Sequence, residues 1–273
     1  MHELVIDVLQ LLGYQFFQHA LLGGIVAAVA CTGIGLFLIL RKEAMIADGI
    51  SHTAFGGIAL GLLLGVYPLI TALFVSILAV LGISYLKRKG LAQSDSAIAV
   101  MLALGFSTGL IILSLVKGFN VELFSYLFGS ILTINQVDLL TVFLLGFTTI
   151  LFLGLFYKEL LAITFDEQSA KLTGIPTGVF TLGFNLLVAT TIVLSIKIIG
   201  IILVVALIVL PGLTALQLRR SFRQTLFASF GFGGVSVFLG IFLSAWFDVA
   251  ASGVIVILAV VFFIIVALYR RLR

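Results

Sequence analysis

Runs of about twenty apolar residues follow one another along nearly the whole chain, broken only by short polar stretches, and this pattern leaves few folds open. As an α-helix, a run of that length crosses the ~30 Å hydrocarbon core of a bilayer. Inside lipid every backbone N–H and C=O must be paired within the protein, which a helix does and an open sheet does not. On that measure, membrane spans are expected at 20–40, 46–64, 69–86, 97–116, 139–157, 178–196, 200–216, 225–246 and 253–268. A mixed segment at 121–132 is too short to cross and is expected to re-enter or lie at the interface. The composition agrees: 62% of the 273 residues are hydrophobic and 10% charged, where a soluble domain carries about 25% charged residues. No stretch is polar enough for a second domain. Residues 1–273 are therefore expected to form one transmembrane domain, an all-α bundle of eight to nine helices.

The net charge of +4 sits in short clusters between the apolar runs: Arg41-Lys42, Lys87-Arg88-Lys89, Arg219-Arg220 with Arg223, and Arg270-Arg271 with Arg273. Such clusters mark cytoplasmic loops and argue against nucleic acid as a partner. Alternating the spans puts all of them on one side, with the C-terminus cytoplasmic and the N-terminus outside. Nine spans fit the charges, and eight fit if one segment does not cross fully. Most of the glycines in or near spans, among them Gly23, Gly24, Gly33, Gly35, Gly56, Gly57, Gly61, Gly231, Gly233 and Gly234, are expected to be helix-packing contacts. The single cysteine, Cys31, reads as a small core residue, and Tyr14, Tyr67 and Trp246 as an aromatic belt. Residues 1–10 lack the basic start of a signal peptide. There is no G-x-x-x-x-G-K-[ST] phosphate loop, so ATP hydrolysis by that route is excluded, and no H-E-x-x-H or Cys-x-x-Cys motif.

Ionisable residues inside a membrane are costly, and by default they are functional candidates. Asp48 and His52, in Ala47-Asp48-Gly49-Ile50-Ser51-His52, are four apart and so share one helix face. If helix starts near Lys42, His52 lies about 15 Å deep, near the midplane. A carboxylate and an imidazole there suit a divalent transition metal. Equally, the two could pair only with each other, or Asp48 could cap the helix. Asp248, after Trp246-Phe247, is a second-site ligand or a solvated rim residue. Lys197 is expected to snorkel to the outer interface, Glu43 to pair with a nearby Arg or Lys, Glu122 to face the outer aqueous side, and His2 and His19 to lie at the surface or interface. The polar loop 158–177 is expected to hold one short amphipathic helix: Asp166 is the N-cap, Glu167 suits the first turn, and Gly174 before Pro176 is a stop. Such a helix would dock on a soluble partner, or it is a plain solvated connector.

These residues resemble the permease subunits of bacterial and archaeal zinc and manganese ABC importers, the ABC-3 family. The most specific part runs from Ile39-Leu40-Arg41 through Asp48-Gly49-Ile50-Ser51-His52 to Gly57-Ile58-Ala59. Further matches are Tyr126-Leu127-Phe128-Gly129-Ser130-Ile131-Leu132, then Gly200-Ile201-Ile202-Leu203 through Pro211-Gly212-Leu213-Thr214-Ala215, then Asp248 with Ser252-Gly253. Gly49 and Thr53 stand where alanines are commoner in the family, and Gly56-Gly57 where a Pro-Gly is often found. The resemblance implies an ABC metal-importer permease fold, paired with a second permease subunit in a bacterial or archaeal cell membrane. It also implies an ATP-binding ABC subunit beneath and an extracellular metal-binding protein above. Asp48 and His52 match the family's acidic and histidine positions. The helix carrying Asp166, Glu167 and Ala170, closed by Gly174, would be the coupling helix that contacts the ATPase.

The transported ion is then Zn2+ or Mn2+, zinc being favoured by the ligand types and by the look of Gly61 to Pro68. No cofactor is expected to stay bound, and the chain is not expected to be an enzyme. A proton-coupled secondary transporter would also carry intramembrane Asp and His. An intramembrane metal hydrolase would need at least three clustered ligands, where the sequence offers one close pair. A membrane scaffold with no transport role is a third alternative.

Overall fold

A computed structural model describes residues 12–115, 121–129 and 134–272, with backbone only for 121–124. The expectations for His2, the Glu122 side chain, the 1–10 stretch, the 130–132 part of the second match and Arg273 fall outside the described residues. Twelve helices and no strand are found among the described residues: α1 Gln15–Leu40, α2 Met45–Leu64, α3 Pro68–Arg88, α4 Ser94–Leu115, α5 Val121–Phe128, α6 Gln136–Leu155, α7 Tyr157–Phe165, α8 Glu167–Leu172, α9 Thr177–Ile199, α10 Ile201–Leu216, α11 Phe222–Phe247 and α12 Ala251–Arg271. Eight of these are long and apolar enough to cross a membrane, and α10 is a shorter apolar helix. The count of eight to nine thus holds, the expected 200–216 span being the short one. The mixed segment forms the eight-residue α5.

Local chemistry explains the ends. α1 stops in a left-handed turn at Lys42 (φ 58°), where Glu43 N–H donates to Leu38 O at 2.9 Å and Lys42 N–H to Ile39 O at 3.0 Å. α2 stops at the left-handed Gly65, and Pro68 then opens α3, where its missing N–H would have no partner anyway. The polar loop 158–177 departs from expectation. It holds two helices, α7 and α8, because Leu160 and Ile163 sit three apart and are both buried, which draws 157–165 into a helix of its own.

Contacts cluster in two compact units, each built from separate stretches of chain. One comprises Phe37–Phe124 and Leu151–Leu194. In it α2 packs on both α3 and α4. The α2–α4 seam is made of glycines. A Cβ added at Gly105 would stand 2.5 Å from Thr53 Cα, and one at Gly56 would meet the Gly105 carbonyl. Close backbone approach of this kind is how membrane helices associate.

The other unit comprises Met1–Leu36, Ser125–Ile150 and Ser195–Arg273, with α10, α11 and α12 packed on one another. A Cβ on Gly35 would strike the Ile208 carbonyl, and one on Gly233 would lie 2.6 Å from Thr32 Cγ2. Gly231 and Gly234, expected to pack, face open space with nothing within 4 Å. Cys31 is buried beside Ser195, as expected of a core residue. Gly129 (φ 75°) and Gly200 (φ 81°) meet backbone to backbone, so neither position has room for a side chain.

Candidate metal pathway residues

Helix α2 is buried along nearly all its length, from Ile46 to Gly61. The exceptions on that stretch are Asp48, His52 and Leu60, a stripe that begins with the exposed Met45 and ends at the exposed Leu63 and Leu64. Both polar side chains are 35% exposed, and His52 Nε2 lies 3.4 Å from Asp48 Oδ1. The sequence spacing is therefore realised as a facing pair on the one open stripe of a covered helix. The local backbone is held by small hydroxyls. Ser51 Oγ donates to Asp48 O at 2.8 Å, and Thr53 Oγ1 donates to Gly49 O at 2.6 Å. On α4, the Phe106 ring stands edge-on to the imidazole, with centroids 5.1 Å apart and planes at 82°.

Chemically, one carboxylate and one imidazole make two ligands. Among the described residues no group of three or more His, Cys, Asp or Glu side chains could hold a metal ion. A two-ligand site leaves most of the coordination sphere open, so an ion can enter and leave. Asp248 is the exposed C-cap of α11 in a left-handed conformation (φ 52°), and Val249 N–H bonds back to Ser244 O at 3.2 Å.

In the loop 158–177, Asp166 caps α8: its Oδ1 accepts from Gln168 N–H and Ser169 N–H, each at 3.0 Å. The Ser169 hydroxyl adds a 2.5 Å bond to Oδ2, and this bond, with the backbone donors, holds the carboxyl below its ordinary pKa. Glu167 is exposed in the first turn, Ala170 is buried, and Gly174 (φ 89°) ends the segment before Pro176.

Two ionic sites lie elsewhere. Lys197 does not simply snorkel outward: its Nζ bonds Asp138 Oδ1 at 2.6 Å, and the Asp138 side chain is only 9% exposed. Asp138 also shares reciprocal capping bonds with Asn135. Nothing in the sequence singled out Asp138. The one legible signal was Asn135 three residues before an acid at a helix start. Glu43 pairs as expected, with Arg41 at 3.1 Å and Lys87 at 2.9 Å.

The chain is similar to known proteins along nearly its whole length. The "Manganese transport system membrane protein MntC" of Halalkalibacterium halodurans is 34% identical over 250 residues, covering 92% of this chain and 86% of that protein. The "Chelated iron transport system membrane protein YfeD" of Yersinia pestis is 32% identical, covering 95% and 87%. The solved structure of PsaBC from Streptococcus pneumoniae in complex with Fab superposes with a TM-score of 0.86 at 32% identity, covering 96% of this chain and 95% of that one. The model of the ABC 3 transport family matches residues 13–270, and the chain belongs to that family.

Proposed function

We propose that this chain is the permease subunit of an ATP-driven importer of a divalent transition metal. The observation that carries the reading is the Asp48–His52 pair on the uncovered stripe of α2. The relatives above are named for manganese and for chelated iron. They favour manganese or iron as cargo over the zinc that ligand type suggested. Imidazole with carboxylate accommodates each of these ions. The proton-coupled alternative draws no support from these relatives.

The chain works as one permease domain beside a second permease subunit. A second copy presenting the same stripe would bring the donors to two carboxylates and two imidazoles along one pathway. A metal-binding protein delivers the ion outside, and an ATP-binding subunit drives the cycle from the cytoplasm. The short helix α8, pinned by Asp166 and ended by Gly174, is the contact with that subunit. The basic residues ending α3 and α12 face the cytoplasm, as does the C-terminus. Asp248 lies at the opposite, outer rim. The chain takes no part in hydrolysis, since it has no phosphate loop.

The test is cellular manganese, iron and zinc content by elemental analysis under metal limitation, with other importers of these metals removed. Cells with the protein, without it, and with His52→Ala at matched expression are compared. Loss of one metal in both defective strains identifies the cargo. No change in any of the three on deletion sinks the importer reading.

A further inference from the structure

The ends of α1, α3 and α9 meet at a buried charged network that the metal pair does not use. Arg41 follows the last residue of α1, and its side chain is 7% exposed. Its Nε lies 3.1 Å from Glu43 Oε2, and its Nη2 donates to Thr181 Oγ1 on α9 at 3.3 Å. The guanidinium also stands 5.6 Å over the ring of Phe184, one turn further along α9. The other Glu43 oxygen takes a 2.9 Å bond from Lys87, in the last turn of α3. Glu43 lies two residues before the start of α2 and five before Asp48. Thr181 lies four residues into α9, which begins directly after α8 and the Gly174–Pro176 turn.

Arg41 combines an ion pair with the Glu43 carboxylate, a hydrogen bond to the Thr181 hydroxyl and the face of the Phe184 ring, a more geometry-specific set than a lone lysine would make. Buried ion networks are weak sources of stability, and apolar replacement often serves as well. Their better-attested use is to fix one arrangement over another. Here the arrangement fixed is that of α9 against the corner from which α2 departs. A displacement of α8 would move the start of α9, and the Arg41 contacts to Thr181 and Glu43 would carry that movement toward the helix bearing Asp48 and His52.

We propose that Arg41, Glu43 and Thr181 form the link through which movement at α8 reaches the metal pair, so that they are positioning residues for the transport step. The proposal rests on the importer reading. The experiment uses the complete assembly in proteoliposomes with manganese, and measures uptake and ATP hydrolysis together. Thr181→Val removes the α9 arm without unpairing a charge. Glu43→Gln removes the charge shared by Arg41 and Lys87 while keeping the shape. Both are expected to leave ATP hydrolysis and nucleotide-free manganese binding near the unaltered values, while uptake per ATP falls about tenfold, the size of losing one bond to a charged group. Arg41→Lys is expected to behave as Thr181→Val. Uptake and hydrolysis falling in proportion would mean a merely structural network and overturn the proposal, as would unchanged uptake per ATP in Thr181→Val. Absence of uptake in the unaltered assembly would overturn the importer reading, and with it this proposal; that result is read before any variant.

Discussion

Replacing Gly105 by alanine tests whether the α2–α4 seam holds the Asp48–His52 pair in place. The new Cβ would lie 2.5 Å from Thr53 Cα and 2.9 Å from its Cβ and Cγ2. Thr53 cannot swing aside: the closest atom is backbone, and its hydroxyl is already bonded to Gly49 O. Ordinary contact begins near 3.4 Å, so the helices must part by about 0.9 Å. Overpacking of this kind costs about 1–3 kcal/mol, and a backbone neighbour puts this case at the upper end. Against it stands a gain of about 1 kcal/mol from alanine's helix propensity. Gly234→Ala supplies the matched control, because it makes the same propensity change with nothing within 4 Å. The two purified variants are compared by thermal unfolding followed through helical circular dichroism, and by metal uptake in cells. Gly105→Ala should unfold at lower temperature than Gly234→Ala by the equivalent of about 2–3 kcal/mol. It should also import less, because Phe106 moves with α4 away from His52. A Gly105→Ala protein as stable as Gly234→Ala, with full uptake, would refute the argument.

Three further outcomes follow from the same geometry. Asp138→Asn weakens the bond to Lys197 and should destabilise by about 1.5–3 kcal/mol, while Asp138→Leu with Lys197→Met should restore part of it; equal losses in the single and double variants, by thermal unfolding, would count against a pairing role. Lys42→Gly relieves a left-handed conformation and should stabilise by about 1 kcal/mol, so a lowered unfolding midpoint would contradict it. The lowered pKa of Asp166 means that its cap contributes fully above the ordinary carboxylate pKa and is lost only as pH falls through the lowered value. Protection of the Gln168 and Ser169 amides from hydrogen exchange, relative to the unstructured rate at each pH, should therefore persist down to about pH 4, and should be lost throughout in Asp166→Ala.

The spans were legible because lipid imposes one rule on every crossing segment, and nothing in the tertiary structure overrides it. The Asp166 cap and the Gly174 stop were legible for a similar reason: a cap is made by residues two or three apart in sequence. Asp48 facing His52 needed only the helical repeat. What escaped depends on distance along the chain. Asp138 and Lys197 are 59 residues apart, so neither predicts the other. Gly233 packs and Gly231 and Gly234 do not, although all three sit on α11, because only a neighbouring helix decides which face is approached. The exposure of the α2 stripe was equally hidden, since the stripe is defined by what covers the rest of that helix.

Helix α10 has 16 residues and so rises only about 24 Å, less than the ~30 Å thickness of a hydrocarbon core. A helix facing lipid would have to thin the bilayer to match. α10 is largely buried and packs on α11 and α12, which have 26 and 21 residues. Its length is thus set by those neighbours rather than by the membrane. In a thinner membrane α11 and α12 would tilt more, and in a thicker one stand more upright, to keep their apolar bands immersed, and α10 would travel with them as a passenger.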